Sequence, residues 1–274
     1  MTFEDILFDA EGGIATVAIN RPEVLNALRL QTLRELREAI HMASDDPTVG
    51  VVVLRGLGGS AFSAGGDQRE LVDRIGPDTW RPTAREFIAL FESIRRCPAP
   101  VIAAVQGWAI GGGNELQLFC DLTIASESSR FGQVGPKVGG MPLFVTQILS
   151  RTIGDKRAKE VFFLCDQYDA RRAQQLGLVN FVVPDAQFDD ELDALCQNVL
   201  DKSPTALRVL KLGVNYGQCL DEGHTDLMVE LGTAYFGSDE QREGTVAFQE
   251  KRAPNFRSFR RPMAVEANDR REHL

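Results

Sequence analysis

The 274-residue chain lacks the residue patterns that mark several large protein classes. Its three histidines, His41, His224 and His273, stand far apart. No HxH, HExxH or Cys/His cluster occurs, so metal-ligand spacing is missing. The five cysteines (Cys97, Cys120, Cys165, Cys196 and Cys219) are odd in number, scattered and without a CxxC pair. That pattern argues against a disulfide framework and fits reduced thiols. No run of ~18 apolar residues is present, so no membrane-spanning helix is expected. The acidic start, Met1-Thr-Phe-Glu-Asp5, has no signal-peptide pattern, and a cytoplasmic location is expected. Positive charge is in deficit, with 30 Lys and Arg against 39 Asp and Glu, a net charge of −9. With a pI of about 5.0, the broad basic face that nucleic-acid phosphates need is not expected.

Catalytic signatures are missing as well. The chain contains no GxGxxG fingerprint, no phosphate loop ending in GK[ST], and no GxSxG nucleophile elbow. Dinucleotide chemistry and serine hydrolysis of that type are therefore not indicated.

What is present is an ordinary globular composition, 43% hydrophobic and 25% charged, sufficient for a sizeable core. Short apolar runs at Ile14–Ile19, Gly50–Leu54, Val101–Val105, Asp121–Ala125 and Val179–Val183 predict strands. Between and after them, helical periodicity predicts helices over Leu30–Ala43, Lys156–Leu164, Arg171–Leu176, Glu191–Leu200 and Thr205–Tyr216. In the first of these, Leu33, Leu36 and Ile40 share one face. The alternation argues an α/β fold. From Ser203-Pro204, a good helix entry, the pattern turns wholly helical. The expected organisation is an α/β core over residues 1–202, a helical region over 203–260, and a charged, mobile tail over 261–274. The sequence shows no strong internal repeat. The paths of Leu71–Phe91 and Met141–Gln147 do not follow from it.

Two glycine-dense stretches each follow a predicted strand: Arg55-Gly-Leu-Gly-Gly-Ser-Ala-Phe-Ser-Ala-Gly-Gly-Asp67 and Gln106-Gly-Trp-Ala-Ile-Gly-Gly-Gly-Asn-Glu115. A lone glycine pair would ordinarily mean a turn. Two such strand ends suit close approach of backbone to a ligand. A helix starting near Gly111–Gly113 would leave outward N–H groups suited to an oxyanion.

These residues resemble the crotonase (enoyl-CoA hydratase/isomerase) superfamily. Asn20-Arg-Pro-Glu-Val-Leu-Asn-Ala-Leu28 is similar to its NRP…NA segment. Ala61-Phe-Ser-Ala-Gly-Gly-Asp67 and Pro100-Val-Ile-Ala-Ala-Val-Gln-Gly-Trp-Ala-Ile-Gly-Gly-Gly113 are similar to its two oxyanion loops. Cys120-Asp-Leu-Thr-Ile-Ala125, Phe131-Gly-Gln133 and Glu243-Gly through Arg252 continue the resemblance in family order, over roughly Phe3 to Phe259. It implies a spiral of ββα units with a C-terminal helical trimerisation region, and a homotrimer or dimer of trimers. It also implies an acyl-CoA substrate held with its thioester oxygen between the N–H groups of Gly66 and Gly112. Coenzyme A would enter as part of the substrate, with no tightly bound cofactor. Asn26, Ala27, Arg29, Ala64 and Lys251 are the implied coenzyme A contacts, with Arg252 a further candidate. Within the superfamily, Gly65-Gly-Asp-Gln68, Phe131 to Gly139 and Phe163 to Asp169 look like dihydroxynaphthoyl-CoA synthases and 2-ketocyclohexanecarboxyl-CoA hydrolases.

The departures matter as much. Of the two glutamates of the hydratases, the first falls on Glu115 and the second on Gly135. The ring-forming and ring-opening relatives are usually apolar at the first position, and their Ser-x-Asp is replaced here by Gly140-Met-Pro142. Their active-site tyrosine falls on Phe236, with Tyr235 adjacent. Glu115 is thus the main acid–base candidate, against the alternative of a solvated helix carboxylate. Asp67 is either a participant or a helix cap. Gln133 either donates to substrate or packs. Water addition to an enoyl-CoA, or hydrolytic opening of a cyclic β-keto acyl-CoA, is the expected chemistry. Ring closure, enoyl-CoA isomerisation and a non-catalytic binding protein on the same scaffold are the alternatives.

Overall fold

A computed structural model describes residues 2–73, 77–216 and 222–256. Strands β1 (Ile6–Glu11) and β2 (Ile14–Ile19) form an antiparallel hairpin followed by helix α1 (Leu30–Asp45). Three strand pairs come next: β3 (Val51–Gly56) with β4 (Ala61–Ser63), β5 (Val101–Val105) with β6 (Trp108–Ile110), and β7 (Leu122–Ser126) with β8 (Arg130–Gly132). Helices α2 (Gln68–Asp73) and α3 (Pro77–Arg96) follow the first pair, and α4 (Gly112–Phe119) follows the second. Helices α5 (Thr146–Ile153) and α6 (Asp155–Leu164) follow the third. Strand β9 (Gln167–Asp169), helix α7 (Ala170–Leu176), strand β10 (Phe181–Val183) and helix α8 (Phe188–Leu200) complete the layered part. Helices α9 (Pro204–Tyr216), α10 (Glu222–Tyr235) and α11 (Asp239–Gln249) end the described chain.

Each strand pair steps from one sheet to another. Strands β3, β5 and β7 lie in a six-stranded sheet of order β1-β2-β3-β5-β7-β10, parallel apart from the β1–β2 hairpin. Strands β4, β6 and β8 lie in a four-stranded sheet of order β4-β6-β8-β9. The fold is therefore a spiral of ββα turns. The repeat is geometric, and the sequence carries no matching internal repetition.

The central strands β3, β5 and β7 of the larger sheet are buried on both faces, which is why they are largely continuous apolar runs and do not alternate with polar residues. Side-chain alternation still operates. Val52, Leu54, Val101, Ala103 and Val105 point into the main core. Val51, Val53, Ile102 and Ala104 point the other way, against Phe188, Leu192 and Cys196 of α8. Leu33, Leu36 and Ile40 of α1 are fully buried on one face, as their spacing predicts. Expected and observed strand limits agree to within two residues. Missing from the expectation are β1, the short strands of the second sheet, α5, and α3, whose twenty residues include Pro82. Among the described residues no helix is long and apolar enough to cross a membrane. The tail over 261–274 and Cys219 lie outside the described residues.

Candidate active site

The site begins in the turn after β2. Leu25 and Asn26 both take left-handed backbone conformations, φ 53° and 56°. The fully buried Asn26 side chain holds that turn. Its Oδ1 accepts from Arg21 N at 2.9 Å, and its Nδ2 donates to Leu57 O at 2.9 Å and Ala61 O at 2.7 Å. The turn then grips the first glycine-rich loop. Ala64 N donates to Leu25 O at 2.9 Å, Leu28 N to Gly65 O at 2.7 Å, and Asp67 N to Leu28 O at 2.9 Å. This is a one-residue parallel bridge between Leu28 and Gly66. It uses the peptide groups on either side of Gly66, so the N–H of Gly66 itself is turned away from Leu28.

The second loop packs directly on the first. Gly65 has φ +93°, and a Cβ there would lie 2.7 Å from Ile110 O and 3.0 Å from Gly112 N. A Cβ on Gly113 would lie 2.2 Å from Ser63 O. Only glycine lets these backbones approach so closely. Gly112 is the first residue of α4, and its N–H is one of the donors that a helix leaves unpaired at its start. Gly66 and Gly112 line one cavity of about 390 Å³.

Three carboxylates line that cavity among the described residues: Asp67, Glu70 and Glu115. Asp67 pairs with Arg21 Nη2 at 3.0 Å, and its Oδ1 accepts from Arg69 N, which gives it the capping role. Glu70 Oε2 accepts from Leu30 N at 2.8 Å, at the start of α1. Glu115 is 7% exposed and lies on the first turn of α4. Its Oε1 accepts from Gln133 Nε2 at 3.1 Å. Burial pushes its carboxyl up to about 7, against a smaller lowering by the Gln133 hydrogen bond. The sequence left Glu115 open between a solvated and a functional carboxylate. The structure buries it on the cavity wall and keeps its counter-charge away.

That burial has a measurable consequence. Between about pH 4.5 and 7 the folded protein keeps a proton on Glu115 that the unfolded chain has released. Rising pH therefore destabilises the fold across that window, by about 3 kcal/mol in total. Glu115→Gln removes this term. Its urea midpoint is expected to fall less than that of the wild type between pH 5 and pH 8. Parallel pH profiles of the two proteins would refute the shift.

Gly135 also lines the cavity but offers no side chain. A Cβ there would lie 3.1 Å from Gly140 C and 3.2 Å from Met141 N, so the backbone of Gly140 and Met141 crowds this position. Gln133 is fully buried, and its Oε1 has no protein partner. The remaining wall is aromatic. Trp80 stacks on Phe236 with ring centroids 3.9 Å apart, and Phe87 and Phe144 stand beside each other.

The other expected site residues are placed as follows. Phe236 lines the cavity, whereas Tyr235 packs edge-on against Phe236 and does not. Burial pushes the Tyr235 hydroxyl up to about 12, aided by the charge of Glu240. Asn26 and Ala27 do not reach the cavity; Leu25, Leu28 and Ala64 do. The Arg29 guanidinium is committed to Asp5, at 2.6 and 2.7 Å, and to Glu4 at 2.6 Å, so it is no free cation for a phosphate. Lys251 is exposed just beyond α11 and is not on the cavity wall, although Phe248 is. Arg252 pairs with Glu243 and Glu250. Sequence reasoning missed Trp80, Phe87 and Phe144, which sit in the segments whose paths had no periodic signal.

A two-sheet ββα spiral in which two crossing glycine loops and the buried Glu115 line one cavity is the crotonase type of fold. The chain belongs to the enoyl-CoA hydratase/isomerase family, whose sequence model matches residues 9–259. It is similar to an enoyl-CoA hydratase from Mycobacterium avium subsp. paratuberculosis at 30% identity and TM-score 0.82, covering 93% of this chain and 99% of that one. An enoyl-CoA hydratase/isomerase from Xanthobacter autotrophicus is 32% identical at TM-score 0.82, over 94% and 96% of the two chains. A methylmalonyl-CoA decarboxylase in complex with 2-nitronate-propionyl-CoA is 27% identical at TM-score 0.81, over 93% and 99%.

Proposed function

We propose that this enzyme adds water to the acyl part of a coenzyme A thioester through an enolate. The observation that carries the reading is Glu115, a buried carboxylate that changes protonation near neutral pH on the same cavity as the N–H groups of Gly66 and Gly112. A group with that range can both take and return a proton. In enoyl hydration, Glu115 takes a proton from water as the water oxygen bonds to the β-carbon. The displaced electron pair moves to the thioester oxygen, where the two N–H groups stabilise it. Glu115 then returns its proton to the α-carbon. With a cyclic β-keto acyl-CoA, the same water attacks the ketone carbon, and the ring bond breaks to give the same enolate. Coenzyme A is part of the substrate in both cases.

Asp67 is held by Arg21 and Glu70 by the Leu30 N–H, and Gly135 offers no side chain, so in this reading Glu115 serves both proton transfers. This also favours a simpler alternative, a proton shift within an enoyl-CoA. Incubation with a panel of enoyl- and cyclic β-keto acyl-CoAs, followed by mass spectrometry, tests the reading. Gain of one water supports it. An isomer of unchanged mass moves the enzyme to the proton-shift reaction. No turnover, together with no acyl-CoA binding by calorimetry, sinks both.

The reading includes self-association. Helix α9 exposes Val209, Leu210, Leu212 and Val214, and Leu231 of α10 is half exposed. The side chains of Leu227 and Met228 lie outside the described residues, and Phe236 belongs to the cavity wall. A monomer rarely leaves so many large apolar side chains of one helix in water. Light scattering is expected to give roughly 90 kDa or a multiple, against 30.2 kDa for one chain. Leu210→Asp with Val214→Asp is expected to shift the protein toward the monomer mass. A wild type at the single-chain mass at micromolar concentration would refute this.

A further inference from the structure

A largely buried cation lies away from the acid–base side of the cavity. Arg21, in the turn after β2, has a side chain only 12% exposed. Its three polar edges reach three different parts of the chain. Nη1 donates to Ala27 O at 2.5 Å, Nη2 to Asp67 Oδ2 at 3.0 Å, and Nε lies 3.6 Å from Asp5 Oδ1. Asp5 is held in turn by Arg29 and by Thr32 Oγ1 at 2.5 Å. A chain of alternating charge thus runs Glu4, Arg29, Asp5, Arg21, Asp67, and it ends beside Gly66.

Buried ion pairs are poor sources of stability, because desolvation offsets most of the attraction. What a forked guanidinium supplies is direction. Arg21 fixes Asp67 on one side of Gly66, while the Ala64 N to Leu25 O bond fixes the other. By holding Ala27 O, Arg21 also fixes the segment whose next residue, Leu28, bridges to Gly66. Both hydrogen bonds of the Leu28–Gly66 bridge therefore join the first glycine loop to the stretch that Arg21 clamps.

From this geometry we infer that Arg21 is a positioning residue, which through Ala27 and Asp67 sets the direction of the Gly66 N–H toward the developing enolate oxygen. The inference rests on the reading of Gly66 as an enolate-stabilising donor. It adds a residue that touches neither substrate nor coenzyme A. A donor displaced by about 1 Å loses on the order of 100-fold in effect. The loss falls on the charged enolate and spares ground-state binding.

The test uses the whole protein and two probes: butyryl-CoA as a ground-state thioester, and a 2-nitronate acyl-CoA of the same chain length as an enolate mimic. Kd values are measured by calorimetry for wild type, Arg21→Met and Arg21→Lys. The methionine variant is expected to bind the nitronate on the order of 10- to 100-fold more weakly, with butyryl-CoA changed less than about threefold. Arg21→Lys keeps the charge and loses the fork, and is expected to weaken the nitronate selectively too. It decides the matter if Arg21→Met fails to fold. Wild-type nitronate affinity in Arg21→Lys would reduce the role to charge and overturn the assignment. So would equal losses on both probes. A wild type that binds the two probes equally would instead show that the Gly66 reading has failed, and this inference with it.

Discussion

Replacing Glu115 by glutamine is expected to lower kcat by about 100- to 10,000-fold on the true substrate, the usual contribution of a general acid–base group. Glutamine keeps the shape and the contact to Gln133 and removes only the titrating proton. The Kd for acyl-CoA should therefore stay nearly constant. The wild-type rate should depend on pH with a definite sign. Glu115 must be ionised to take a proton from water, so kcat/KM is expected to rise as pH increases through about 7 and then level off. The variant should lose that rise. A Glu115→Gln enzyme retaining most of its activity would make Glu115 structural and would require another group on the cavity wall to move the proton.

The second large effect concerns a single backbone hydrogen. Gly112 occupies the first position of α4, where proline is well accommodated because the N–H there has no intrahelical partner. Its φ is not left-handed, and a Cβ would meet Phe87 at 3.4 Å, an ordinary contact. Gly112→Pro thus deletes one donor at little cost to the helix, whereas Gly112→Ala keeps it. Loss of one such donor typically costs about 100- to 1,000-fold in kcat. The proline variant is expected to show that loss with a near-native melting temperature, and the alanine variant to stay within about tenfold of wild type. Equal activity in the two variants would remove Gly112 N–H from the mechanism.

These two variants probe features that differ in how far the sequence revealed them. Gly65 and Gly113 stood out because close backbone approach excludes a Cβ, and residue identity records such exclusion directly. The central strands of the large sheet were legible because burial on both faces demands uninterrupted apolar runs. Strands β4, β6, β8 and β9 were not, since three residues are too few to show a period. The length and path of α3 were hidden for another reason. Its aromatic residues answer to a cavity shared with α4 and α10, not to neighbours along its own chain.

What the sequence by itself determined is therefore local and steric: the layered α/β order, the two glycine strand ends, Glu115 on the turn that follows the second, and the absence of a side chain at Gly135. The tertiary structure alone decided which charges are free. Arg29 reads as a free cation in sequence and is spent on Asp5, twenty-four positions earlier. Arg21 reads as part of a motif and ties Asp67, forty-six positions later, beside the cavity. Glu115 is an ordinary glutamate until α4 closes against Gln133, eighteen positions later, and burial raises its pKa. Periodicity and glycine tolerance depend on adjacent residues. Ionisation and charge pairing depend on which distant groups the fold brings within a few ångströms.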